Sequence, residues 1–236
     1  MEARRRDSNV DLQNHSFGSY FRMNLRPGQF DTMNSSLPPT NPHKILLRLS
    51  EAADTQRLML ADVELGNQLL TGIQSCIEAY RNNKKVLIAG NGGSAADAQH
   101  LAGELVSQFY FDRPALAAVA LTTDTSVLTA VSNDYGYENV FSRQIVAHGI
   151  AGDVFIAIST SGNSPSILKA LQQARVLGLR TIGLTGRTGG EMKSLCDICL
   201  CAPSDSTPRI QECHLVLEHT LCACIEEALF GHQRSS

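Results

Sequence analysis

The sequence lacks any apolar run of membrane-span length, so no stretch reads as a transmembrane helix. It also lacks a basic excess: 20 Lys and Arg stand against 23 Asp and Glu, a formal net charge of −3. A chain without a positive footprint is a poor partner for nucleic acid or an anionic membrane. The even cysteine count of a disulfide framework is missing as well. Cys76, Cys196, Cys199, Cys201, Cys213, Cys222 and Cys224 are odd in number. Near the start, Arg4-Arg5-Arg6 is not followed by the apolar core of a secretory signal. A cytoplasmic protein with reduced thiols is expected. Cys196-Asp-Ile-Cys199 has metal or redox spacing, but no second pair completes a zinc set, and the thiols read as core residues.

What is present is organised around residues 85–108. The apolar run at 86–89 stops at a glycine-rich turn, Gly90-Asn91-Gly92-Gly93-Ser94. Ala96, Ala98, Leu101, Ala102, Leu105 and Val106 then recur at helical spacing. This predicts a buried strand, a tight loop and a helix. Glycines let the backbone approach a ligand, and Ser94 is placed to N-cap the helix. Free N–H groups at such a start favour an anion, with phosphate the first candidate. One and two turns further, His100 and Glu104 share a helical face. On this helix alone, a solvated polar face explains them equally well.

Residues 1–42 are poor in periodicity, rich in Asn, Ser, Arg and Pro, and read as a disordered extension. An overcalled start with Met33 as the internal candidate, or a partner-binding tail using Phe17, Tyr20, Phe21 and Phe30, are the alternatives. Residues 43–82 predict two helices with a break near Gly66, packing on the following domain or forming a subunit interface. Strands are then expected at 117–121, 153–158, 180–184 and 198–202. Helical segments are expected at 124–131 and 137–147, from Ser164 and Pro165 to Gly178, and from Thr207-Pro208 to about Phe230. The alternation implies an α/β fold: a three-layer α-β-α sandwich around a five-stranded parallel sheet, preceded by an N-terminal helical pair.

Ligands of such sheets sit beyond the carboxyl ends of the strands. There, Ser159-Thr160-Ser161-Gly162-Asn163-Ser164 places four hydroxyls at a helix start, a phosphate cradle without fixed positive charge. Two such loops on one sheet edge favour phosphate binding over an ordinary turn. A dinucleotide site is the weaker rival. Gly90-x-Gly92-x-x-Ala95 fits its fingerprint, but the acid, Asp124, comes late. No Gly-Lys-Ser/Thr follows the turn, which excludes a Walker A loop.

These two loops resemble the sugar-phosphate loops of the sugar isomerase (SIS) domain. The likeness continues through Ala98-Gln-His-Leu-Ala-Gly-Glu-Leu105, Ser132-Asn-Asp-Tyr-Gly-Tyr137, Leu184-Thr-Gly186 and Arg209-Ile-Gln-Glu212 with His219. That set is similar to the phosphoheptose isomerase family and spans about residues 43–230. The resemblance implies an aldose–ketose isomerase converting D-sedoheptulose 7-phosphate to D-glycero-D-manno-heptose 7-phosphate through an enediol, the first step of bacterial heptose biosynthesis. It implies substrate contacts by Asn91, Gly92, Gly93, Glu104, Asn133, Asp134, Ser159, Thr160, Ser161, Ser164 and Gln211, to which we add Ser94 as part of the first loop. It implies zinc held by His100, Glu104, Gln211 and His219, with Glu104 and His219 as the acid/base pair. It also implies a homotetramer with active sites at subunit interfaces. His214 and Glu218, beside the implied ligands, read as structural, and Gln108 stands where some members carry Arg. Two other readings share the fold, an adaptor binding the bacterial replication initiator and a phosphosugar-sensing module. That adaptor lacks the Glu and final His that this chain has.

Overall fold

The structure is a computed structural model that describes residues 41–232. The expected extension therefore lies outside the described residues except for Asn41 and Pro42, as do Phe17, Tyr20, Phe21, Phe30 and Met33. The chain divides into two units, Met1–Ile45 and Leu46–Ser236. Of the first, only the opening of a helix is described.

That helix, α1 (Pro42–Ala61), buries only Met59. Leu46, Leu49, Leu58 and Leu60 stay exposed along it. α2 (Val63–Arg81) follows after one residue. The break falls at Asp62, not near Gly66: the Asp62 carboxylate accepts from the Leu65 amide at 2.9 Å and caps a new helix. Gly66 sits one turn inside α2 with open space around its Cα. Its helix cost of about 1 kcal/mol is outweighed by the cap and by burial of Leu65, Ile73, Cys76 and Ala79.

The sheet contains β1 (Val86–Gly90), β2 (Ala118–Ala120), β3 (Val154–Ile158), β4 (Arg180–Thr185) and β5 (Ile198–Cys201). All pairings are parallel, in the order β2-β1-β3-β4-β5. Both faces are covered, so the central strands are buried throughout. Val86 and Ile88 of β1, with Val154, Ile156 and Ile158 of β3, point into one core, shared with α2, α3 (Gly93–Val106) and α8 (Thr207–Phe230). Leu87, Ala89, Phe155 and Ala157 point the other way. They pack against α4 (Thr125–Tyr135), α5 (Val140–His148) and α6 (Pro165–Val176). This is the expected three-layer sandwich.

Several boundaries differ. β2 is three residues long, two fewer than its apolar run, because its edge position leaves Val119 exposed. Gly136, at φ +85°, ends α4 and starts a 3₁₀ turn, Tyr137–Asn139, ahead of α5. A four-residue helix, α7 (Met192–Leu195), was not anticipated, being too short to show a period. Ser164 caps α6 as expected, with Pro165 following. For α8 the cap is Ser206, one residue earlier than Thr207.

Candidate active site

β1 and β3 are neighbours, and Gly90 pairs with Ile158 at their carboxyl ends. The loops 91–94 and 159–164 therefore leave the sheet side by side. In a 2-1-3-4-5 sheet this is the point where the strand order reverses, the usual ligand crevice.

The first loop turns on Gly92, at φ +58°, a conformation L side chains rarely adopt. Gly92 is also the N-cap of α3. Ser94, expected as the cap, is instead inside the first helical turn and 3% exposed. Its backbone and Cβ lie against Gly90. At Gly93 a Cβ would run into the Gln211 side-chain amide. The missing side chain is what lets α8 bring Gln211 to the start of α3.

Asn91 joins the two loops. Its amide nitrogen donates to Ser164 Oγ at 2.9 Å and to Ser166 Oγ at 3.1 Å. Its oxygen accepts from the Tyr137 hydroxyl at 2.7 Å. In the second loop Ser159 is buried and Ser161 Oγ takes the Asn163 amide at 3.2 Å. Thr160 and Ser164 are half-buried. Asn133 and Asp134 are exposed near the end of α4, and the Asn133 amide donates to Asp134 at 2.8 Å. Asp124 caps α4 by accepting from the Val127 amide at 3.0 Å. That gives one oxygen of the exposed carboxylate a local capping role.

Farther along α3, His100 meets His219 of α8, Nε2 to Nε2 at 2.8 Å. Glu104 Oε1 lies 3.7 Å from His100 Nε2. Such a contact requires at least one of the facing nitrogens to be unprotonated. Phe109 packs on the His219 ring, centroids 5.5 Å apart. α3 and α8 thus bring together three of the four implied ligands. Gln211, beside Gly93, stands roughly 10 Å from His100 along α3, at 1.5 Å per residue. Among the described residues, no three His, Cys, Asp or Glu side chains stand as a ready metal cluster. Two imidazoles and a carboxylate are nonetheless a donor set zinc accepts. Zinc–nitrogen bonds of about 2.0–2.1 Å place two nitrogens roughly 3.3 Å apart in a tetrahedron. The facing rings need open by only about half an ångström.

Two groups behind the site are more isolated than sequence suggested. His214 is fully buried, with Nε2 3.1 Å from the Thr185 carbonyl and Nδ1 without a partner among the described residues. Burial pulls its pKa down to about 4 in spite of that carbonyl, so it is neutral. Among the described residues, Glu218, 1% exposed, has no partner for either carboxyl oxygen. Burial, and then the nearby Asp97, push its pKa up to about 8. Both point into the protein, consistent with a structural place. Arg113 and Glu226 were missed altogether. They form an ion pair at 3.1 Å, each side chain 1% exposed. Arg113 also donates to the Glu104 and Leu105 carbonyls at 2.9 and 2.7 Å. The pair ties the end of α3 to α8, the helices that carry Glu104 and His219. Only an isolated Arg in a loop signalled it.

The SIS domain family matches residues 53–186, more than half the chain. The chain belongs to that family. A phosphoheptose isomerase of Aneurinibacillus thermoaerophilus is 56% identical over 185 residues, covering 78% of this chain and 93% of that protein. Phosphoheptose isomerase 2 of Campylobacter jejuni is 58% identical over 173 residues, 73% and 86% of the two chains. The structure of phosphoheptose isomerase GmhA from Neisseria gonorrhoeae matches with a TM-score of 0.75 at 40% identity, over 80% of this chain and 100% of that one. Within the SIS family the chain groups with the phosphoheptose isomerases.

Proposed function

We propose that the chain is an aldose–ketose isomerase converting D-sedoheptulose 7-phosphate to D-glycero-D-manno-heptose 7-phosphate, the first step of bacterial heptose biosynthesis. The observation that carries this reading is the convergence of His100, Glu104 and His219 on the helix that opens at the glycine-rich loop. A phosphate cradle alone would serve a sensing module. A carboxylate and two imidazoles beside it supply proton transfer, which a sensor or an adaptor does not need.

The reaction moves one proton from C1 of the ketose to C2 of the aldose through an enediol, and one between the two oxygens. Glu104 is suited to take the carbon-bound proton and His219 to serve the oxygens. The pair is held on two packed helices, so its geometry is set before substrate arrives. The hydroxyls of Ser159, Thr160, Ser161 and Ser164, with the backbone at Gly92 and Gly93, hold the phosphate. Asn133, Asp134 and Gln211 are assigned to the sugar. Zinc, one per subunit, is part of the proposal; bound by His100, Glu104 and His219 it would polarise the carbonyl and stabilise developing negative charge on oxygen. Gln211 completes that set only by leaning along α8, since eight residues span about 12 Å, or by coming from another subunit. A homotetramer is supported by the leucines left exposed on α1. A cytoplasmic place agrees with seven free thiols.

The test is incubation of purified protein with sedoheptulose 7-phosphate, following the aldose by proton NMR. Conversion supports the reading; binding without conversion over hours rejects it in favour of a sensing module.

A further inference from the structure

The Tyr137 hydroxyl, the Asn91 amide, and the Ser164 and Ser166 hydroxyls form one continuous hydrogen-bonded line across three segments of the chain. We propose that Tyr137 is a positioning residue for phosphate recognition: through Asn91 it fixes the Ser164 hydroxyl toward the ligand. The proposal rests on the assignment of the 159–164 loop as the phosphate cradle.

The argument is one of donors and acceptors. Asn91 has two N–H donors and one carbonyl acceptor in its side chain. The donors go to Ser164 Oγ at 2.9 Å and Ser166 Oγ at 3.1 Å, and the acceptor takes the Tyr137 hydroxyl at 2.7 Å. The Asn91 side chain is thus used within the protein, and its place in the site is to brace the two loops. In this orientation the Tyr137 hydroxyl holds the Asn91 oxygen, which keeps both N–H donors turned to the serines.

The consequence falls on the serines. With Asn91 supplying a proton to each oxygen, Ser164 and Ser166 keep their own two hydroxyl protons. The two oxygens are 3.3 Å apart, so one of those protons can be spent between them. At least one is left over. Ser166 is 2% exposed and cannot offer it outward, whereas Ser164 is half-buried at the start of α6. Ser164 also makes no side-chain capping bond to a backbone amide of its helix, although it occupies the cap position. Its hydroxyl is left aimed into the cradle as a donor, which an anion requires.

Tyr137 itself is anchored independently of the ligand. Its 3₁₀ turn follows Gly136, and α6 holds it through Lys169, which reaches Asn139 at 3.1 Å and Glu138 at 3.4 Å. The same helix that Ser164 opens thus fixes the turn that presents Tyr137. Tyr137 is 53% exposed, so the hydroxyl can be removed without opening a cavity.

The test is Tyr137→Phe in the full-length protein, with calorimetric titration of inorganic phosphate and of sedoheptulose 7-phosphate, steady-state kinetics and thermal melting. Loss of one hydrogen bond predicts a roughly tenfold rise in the phosphate Kd and in KM, with kcat within about twofold. The melting temperature should stay within about 2 °C, since an exposed surface change is near neutral. Ser166→Ala, which removes the second Asn91 anchor, should raise the phosphate Kd in the same direction. An unchanged phosphate Kd in Tyr137→Phe overturns the proposal. So does a fall in kcat with KM unchanged, which would place Tyr137 in the chemistry, or a lowered melting temperature accompanying the loss, which would make its role structural. Wild-type protein that binds no phosphate overturns it too. Phosphate binding that responds to Tyr137→Phe in a protein without turnover would instead uphold the brace and reject the isomerase.

Discussion

The buried Arg113–Glu226 pair makes a prediction that can be worked through from its contacts. Glu226 accepts from Arg113 Nε at 3.1 Å and from the Phe109 and Tyr110 amides at 2.9 and 2.7 Å. Arg113 spends its remaining donors on the carbonyls of Glu104, Leu105, Ser107 and Pro114. Glu226→Gln keeps the shape but removes the charge and turns an NH₂ group toward existing donors. Breaking one side of a buried pair costs about 3–5 kcal/mol. For a chain of this size about 1 kcal/mol moves the melting temperature by roughly 2–4 °C, so a fall of about 6–20 °C is expected by calorimetry at pH 7. Burial by itself would raise the Glu226 carboxyl; the Phe109 and Tyr110 amides and Arg113 outweigh it and hold it below the usual range. The sign follows from linkage. A depressed carboxyl contributes stability above the unfolded value of about 4.3 and loses it as pH falls through the lower folded value. The gap between wild type and variant should therefore be full at pH 6–7 and shrink below about pH 4. Arg113→Met combined with Glu226→Leu leaves no orphan charge but takes these partners from the Phe109 and Tyr110 amides and from four carbonyls, so it should recover only part of the loss. A single variant that melts within about 2 °C of wild type at pH 7, or a gap unchanged by acid, would refute this account of the clamp.

Glu104→Gln and His219→Gln should each keep the fold and cut turnover at least about 100-fold, the scale of general acid–base catalysis; near-normal kcat in either would remove it from the acid/base pair. Gly93→Ala should displace the flexible Gln211 side chain, raising KM with melting changed by less than about 2 °C; an unaltered KM would show that Gln211 does not bear on substrate. Chelation should abolish activity without unfolding, and added zinc should restore it, because a nitrogen and oxygen donor set binds less tightly than thiolates; full activity at negligible metal content would take zinc out of the mechanism.

The fold was legible where burial is two-sided. The apolar runs of β1 and β3, closed by Gly90 and by the hydroxyl-rich loop, mark strands whose both faces need cover, and the cap-plus-proline at Ser164 marks the helix after them. The break between α1 and α2 was misread because Gly66 is a visible punctuation mark, while Asp62 acts through a hydrogen bond that composition does not reveal. Ser94 failed as a cap for a related reason: Gly92 can turn the chain earlier, and burial against Gly90 then claims the serine. In the site, the i,i+4 pair His100 and Glu104 could be placed on one face from spacing alone. That His219 meets them depends on how α8 lies along α3, a tertiary fact. The Arg113–Glu226 clamp and the Tyr137–Asn91 line depend on partners 113 and 46 residues apart, and no local pattern encodes such pairs.

The most direct measurement of the central claim is turnover of sedoheptulose 7-phosphate in D₂O by wild-type protein and by Glu104→Gln, read by proton NMR. Wild type should form the manno-heptose 7-phosphate with deuterium at C2, because the proton passes through an exchangeable side chain, while the variant forms it at least about 100-fold more slowly. Absence of the aldose, or an aldose that keeps its full protium at C2, would contradict the account.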